Sequence, residues 1–166
     1  VRVSVRVRIR VGVMINASVS ADRTVKSWEV RTSKLQRSFG NHLGLVHAVA
    51  FRPRTAPAIC VTASDDKTVR IWQPSIGRMV RIVRRHDGPV FAVAFSRAGR
   101  RIFSIGQEGI GRIIDADSDK VLHEWKAHDD WVYALAVGPN GKLATGDWRG
   151  KVKLWTVKGG KVFQSN

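Results

Sequence analysis

Three observations predict an all-β chain built from repeated four-stranded antiparallel units. The chain repeats itself: Trp28, Trp72, Ile114 and Trp155 stand 44, 42 and 41 residues apart, and a period of about 20 to 50 residues marks an array of one supersecondary unit. A second marker keeps step, because His42, His86 and His128 each fall 14 residues after the tryptophan position of the preceding unit. Within each period short β-branched and aromatic runs are separated by turn residues, and helical periodicity is nowhere sustained. Four short strands per period make the blade of a β-propeller. The expectation is a single domain of about four blades, with units at 1–39, 40–84, 85–125 and 126–164.

The first unit opens on VRVSVRVRIRVGV, thirteen alternating residues without the Pro, Gly or Asp turn that the repeat requires between its first two strands. It reads as an edge strand whose arginines discourage edge-to-edge pairing, as a basic-faced strand for polyanions, or as a stretch foreign to the fold. In the later units LVHAVAF, PVFAVAF and WVYALAV are first strands, and SRAGR and GPNGK are turns. IFSIG and KLATG begin second strands, TVRIW and KVKLW are third strands, and the more basic GRMVRIV and DKVLHEW are fourth strands. The turns are too short for the helical crossovers that parallel strands need.

A 166-residue chain with 43% apolar residues can bury one substantial core. Cys60, the single cysteine, lies in the apolar run AICV, which excludes an internal disulfide framework and a cysteine zinc site. No apolar stretch approaches the roughly 18 residues of a helical membrane span, and the N-terminal alternation is unlike a signal peptide. A soluble chain of a reducing compartment is expected, the cytoplasm first, with no membrane contact.

These residues resemble the WD-repeat β-propeller family, whose units run from a Gly-His pair to a Trp-Asp pair. Asn41-His42, Arg85-His86 and Ala127-His128 stand for the first pair. Trp28-Glu29, Trp72-Gln73, Ile114-Asp115 and Trp155-Thr156 stand for the second. The resemblance covers residues 18 to 164. It implies a hydrogen-bonded chain of tryptophan, Ser/Thr hydroxyl, histidine and turn aspartate. The best-preserved set is Trp72, Thr62, His42 and Asp66, and the first unit offers Trp28, Ser18 and Asp22. The third unit, with Ile114 and Glu108 at the tryptophan and aspartate positions, is expected to keep only His86 and Ser104. The fourth keeps His128, Thr145 and Trp155, but Arg149 stands at the turn position and Asp147 two residues early. Blades three and four are therefore expected to be held less rigidly. Propellers close with about 4 to 8 blades, and the resembled family commonly uses more than four. That implies an incomplete propeller, or one completed by association of copies. Val1 stands where an initiator methionine would, and the next histidine of the series would fall past Asn166, so a piece of a longer array is expected.

Thr62 or Ser64 with His42 and Asp66 has the residue types of a nucleophile, base and orienting acid. A catalytic triad is one constellation at one place, whereas these types recur at blade spacing. No phosphate-cradling glycine loop or metal-spaced histidine pair occurs, so neither enzyme, cofactor nor metal is expected.

The net charge of +16 is unevenly spread. Residues 1–64 hold 11 basic against 2 acidic side chains, 65–101 hold 9 against 3, and 102–166 hold 9 against 8. Arg78, Arg81, Arg84 and Arg85 fall on a predicted outermost strand and Arg97, Arg100 and Arg101 around a neighbouring turn. Together they are a candidate basic rim for nucleic acid or an acidic protein. The arginines lack the aromatic interleaving of a known nucleic-acid module. The resemblance implies a second surface, where each innermost strand begins and just before each turn aspartate. Those places hold Leu45, His47 and Asp65; Pro89, Phe91 and Gln107; and Trp131, Tyr133 and Trp148. Aromatic residues and arginine dominate interface energetics. The sequence is thus read as a non-catalytic scaffold for protein partners, acidic ones included, with nucleic acid as the alternative ligand.

Overall fold

The computed structural model describes residues 5–8 and 15–165. Sixteen strands form four antiparallel sheets of four, each in chain order. The first contains β1 (Val5–Arg8), β2 (Ile15–Val19), β3 (Val25–Glu29) and β4 (Leu35–Phe39); the second, β5 (Val46–Phe51), β6 (Cys60–Ser64), β7 (Val69–Gln73) and β8 (Arg78–Val83). The third contains β9 (Val90–Phe95), β10 (Arg101–Gly106), β11 (Ile110–Asp115) and β12 (Val121–Lys126); the fourth, β13 (Val132–Val137), β14 (Lys142–Asp147), β15 (Val152–Lys158) and β16 (Lys161–Gln164). This is the blade repeat read from the sequence. Of the alternating N-terminal stretch, Val5–Arg8 pairs with β2, Val5 opposite Val19; its other residues lie outside the described ones.

Turn chemistry explains the regularity. The tight turn from second to third strand needs one left-handed residue, and Arg23, Lys67, Gly109 and Gly150 occupy it with φ of 67, 65, 69 and 80°. Glycine meets that demand without steric cost in the last two blades, while the first two carry the strain of a side chain there.

Three apolar layers lie between successive sheets. Ile15, Ala17, Val19 and Val25 of the first meet Val46, Val49, Cys60 and Trp72 of the second. Val61, Ala63, Val69 and Ile71 on the second sheet's other face meet Val93, Phe95, Ile102 and Ile114. Phe103 and Ile113 meet Leu143 and Trp155. Every sheet thus has two unlike faces: one bears the tryptophan position, and the other packs, between successive sheets, against the tryptophan-position face of the next. The innermost strands also pack in series, β1 on β5, β5 on β9 and β9 on β13. Among the described residues no packing of comparable extent joins the fourth sheet to the first. Among the described residues, one face of each kind is therefore left uncovered. On the fourth sheet the register places Ala134 and Ala136 beside Gly146 and Ala144, and those beside Val152 and Leu154. Val152 is 68% and Leu154 56% exposed. Their equivalents Val69 and Ile71 in the second sheet are buried. On the first sheet Trp28 is only part-buried and lines a hollow with Asn16, Glu29 and Ser33.

Candidate functional site

The hydrogen-bonded chains come first, because they fix the loops that carry everything else. In the second blade the Trp72 indole N–H donates to Thr62 Oγ1 at 2.8 Å, and Thr62 lies 2.7 Å from His42 Nε2. His42 Nδ1 lies 2.8 Å from Asp66 Oδ2. The pattern calls for a neutral ring with its proton on Nδ1, donating to Asp66, while the threonine hydroxyl donates to Nε2. Burial lowers the His42 pKa against the pull of Asp66, which keeps the ring neutral. Burial alone would raise Asp66; hydrogen bonds from Thr68, His42 and the Leu43 N–H outweigh it and bring the carboxyl down to about 2. Trp72 and Thr62 are wholly buried, so no substrate atom reaches this hydroxyl.

The fourth blade repeats the chain in full. Trp155 donates to Thr145 at 2.8 Å, Thr145 lies 2.7 Å from His128 Nε2, and His128 Nδ1 lies 2.8 Å from Asp147. The gap expected from Arg149 at the turn position is filled: Asp147 enters from the start of the turn, where Ser64 stands in the second blade, and its other oxygen accepts the Arg149 and Lys151 N–H groups. The third blade is corrected as well. Glu108 takes the aspartate's part, 2.5 Å from His86 Nδ1, while His86 Nε2 meets Ser104 at 2.8 Å. Burial, which would raise Glu108, is outweighed by His86 and Arg112, and its pKa falls to about 2. Glutamate reaches the ring from the position that aspartate holds in the second blade, and Ile114 removes the indole that would have needed a partner. In the first blade Trp28 donates to Ser18 at 2.9 Å. Asp22, expected in that chain, stands apart on the surface, bonded to Thr24 and Lys26.

One recurrent position beside these chains went unread in the sequence. Two residues before every tryptophan position stands a cation: Lys26, Arg70, Arg112 and Lys153. Arg70 donates to Thr68, to the Asn41 carbonyl and, at 3.0 Å, to Asp66. Arg112 bonds Glu108 and Glu124. Lys153 reaches the Ala127 carbonyl at 2.8 Å above the Trp155 ring. The fixed offset was a usable signal, hidden among 29 basic residues.

The nine residues at strand starts and turns fall into three equivalent sets. The N–H of Asp65 donates to the Leu45 carbonyl, that of Gln107 to Pro89 and that of Trp148 to Trp131, at 2.9, 2.9 and 2.8 Å. The innermost strands β5, β9 and β13 each carry a bulge near their start, at His47, Phe91 and Tyr133, where the register to the second strand shifts. A bulge re-aims a side chain, and these three point along one row. The Phe91 and Tyr133 rings stack at 4.3 Å and 10°, and His47 meets the Phe91 edge at 5.2 Å. Trp131 lies 6.2 Å from Phe91 and 6.4 Å from Tyr133, and Trp148 5.7 Å from Tyr133. His47 Nε2 also meets Asp65 at 2.5 Å. Trp148 is 71% exposed, and Leu45, Trp131 and Tyr133 are exposed as well.

The arginines are more scattered. Arg78, Arg84, Arg85, Arg97 and Arg100 are exposed, while Arg81 and Arg101 are part-buried. Arg84 and Arg85 share a shallow hollow with Asp119. Arg52, outside the candidate set, makes a two-pronged pair with Asp117 at 2.6 and 3.0 Å and ties the second blade to the third.

A family model of the WD domain, G-beta repeat, matches residues 33–73 and 119–156. These spans contain the second and fourth tryptophan positions. No curated protein matches the chain.

Proposed function

The repeats make this chain a member of the WD-repeat family, and on that premise we propose that it is a non-catalytic scaffold whose aromatic row is the docking surface for protein partners. The observation that carries the reading is the row itself. Three bulges in three blades turn His47, Phe91 and Tyr133 toward one face, where Trp131 and Trp148 extend them into solvent. Clustered aromatic anchors are the usual seat of binding energy in an interface. The hydroxyl–histidine–carboxylate sets are sealed and repeated, which suits a structural role. The exposed arginines steer acidic segments of a partner toward the same molecule. The two uncovered end faces, one of each kind, favour association of copies that completes the propeller.

Peptides selected from a random display library on the immobilised chain test the docking reading. Binding is expected to disappear with Trp131→Ala and Trp148→Ala while the melting temperature holds. Selected peptides that ignore both tryptophans would sink it. The exposure of Arg84, Arg85, Arg97 and Arg100 favours one second reading, a polyanion ligand. Affinity for single-stranded DNA would then fall steeply with salt and vanish with Arg84→Glu and Arg85→Glu.

A further inference from the structure

The corner of the row formed by Trp131, Tyr133 and Trp148 gathers carboxylates in a chain with 29 Lys and Arg against 13 Asp and Glu, alongside the cations Lys126, Arg149 and Lys151. Carboxylates surround it. Asp130 precedes Trp131 and accepts its backbone N–H at 2.8 Å. Asp129 beside it is exposed and 3.8 Å from Lys126. Asp65 lies on the same face, 2.5 Å from His47, and burial first, then Asp130 and Asp65, push the Tyr133 hydroxyl pKa up. Trp131 and Trp148 are tilted by 51° and 49° to the Tyr133 ring. Aromatic faces are negative and attract cations, tryptophan most strongly. The corner already holds one guanidinium, since Arg149 Nε donates to Asp130 Oδ2 at 2.7 Å while its side chain is 80% exposed.

We propose that this corner binds an arginine side chain of a partner protein, its guanidinium lying on a tryptophan face and exchanging with Arg149 for Asp130. The inference rests on the reading of the row as a docking surface and names what docks there. A planar, weakly hydrated guanidinium stacks on a ring and donates in its own plane to a carboxylate at once. An ammonium satisfies the carboxylate but is more strongly hydrated, and an apolar side chain offers Asp130 no donor with which to replace Arg149.

The test is tryptophan fluorescence titration of the whole chain with Gly/Ser heptapeptides carrying one central arginine, norleucine or glutamate. The arginine peptide should bind about tenfold more tightly than the norleucine one, the effect of one cation–π contact together with one hydrogen bond to a carboxylate. Trp148→Ala should remove that preference, and Arg149→Ala, which frees Asp130, should tighten arginine binding several-fold. Equal binding of norleucine, tighter binding of glutamate, or an Arg149→Ala variant that binds arginine no better would each overturn the proposal. If selected peptides still need Trp131 and Trp148 while arginine shows no advantage, the arginine site falls and the docking surface stands. If they ignore both tryptophans, the docking surface falls with it.

Discussion

Thr62→Val removes one oxygen and little else. Valine matches threonine in shape, so the apolar layer is kept, but the Trp72 N–H and His42 Nε2 both lose the atom that joins them. Neither can turn to water: Trp72 is wholly buried and the His42 side chain is sealed. An orphaned buried polar group costs about 1 to 3 kcal/mol, so two of them set the loss at roughly 2 to 6 kcal/mol. Ser18→Ala is the internal control. It breaks one bond of the same kind, but Trp28 is part-buried beside an open hollow, and water can take its N–H; the loss should stay under about 1 kcal/mol. Urea denaturation followed by circular dichroism compares the two, with Thr62→Ser as the variant that keeps the hydroxyl. If Thr62→Val costs no more than Ser18→Ala, the buried chain does not hold the blade, and the reasoning fails.

Other expectations follow from the same geometry. Arg70→Met should destabilise by roughly 1 to 3 kcal/mol, because Asp66 and the Asn41 carbonyl lose a buried partner. Lys26→Met, at an exposed pair with Asp22, should cost less than about 1 kcal/mol, and equal losses would refute a special role for the buried cation. Stability should fall steadily in acid. Below pH 6.5 an unfolded chain takes up protons that His42 and His86, lowered by burial, refuse. Below about pH 4 the same holds for Asp66 and Glu108, whose folded pKa values are near 2. A urea midpoint that stays level from pH 6.5 to 3 would contradict this. Leu154→Asp should lower the solution mass measured by light scattering if copies associate through the uncovered face. An unchanged mass with unchanged stability would mean that nothing covers it.

The sequence displayed what depends on residue type at fixed spacing. Tryptophan and histidine are rare enough for their period to stand out, and the period carried the blade repeat; the chain through Trp72, Thr62, His42 and Asp66 was implied by the family resemblance that the period supports. What it hid depends on reach and on backbone register. Glu108 and Asp147 serve the same histidine position from different places, one with a longer side chain and one from the other end of the turn. A rule about where aspartate must stand missed both. The cation two residues before the tryptophan was hidden by abundance. The bulges at His47, Phe91 and Tyr133 leave no mark of their own in composition, yet they set the direction of the aromatic row. Gly106 hints at one of them, because a Cβ there would lie 2.0 Å from the Pro89 carbonyl oxygen.

The two uncovered faces also constrain symmetry. A dimer related by a two-fold axis between like patches would set the Trp28 face against another Trp28 face, or the Leu154 face against its own copy. Neither arrangement reproduces the layers seen inside the row. Only head-to-tail contact does, and such contact is heterologous: it closes into a ring if the accumulated rotation completes a circle and grows into an open filament if it does not. The rotation between neighbouring blades, more than the chemistry of the end faces, would decide between a bounded particle and a fibre.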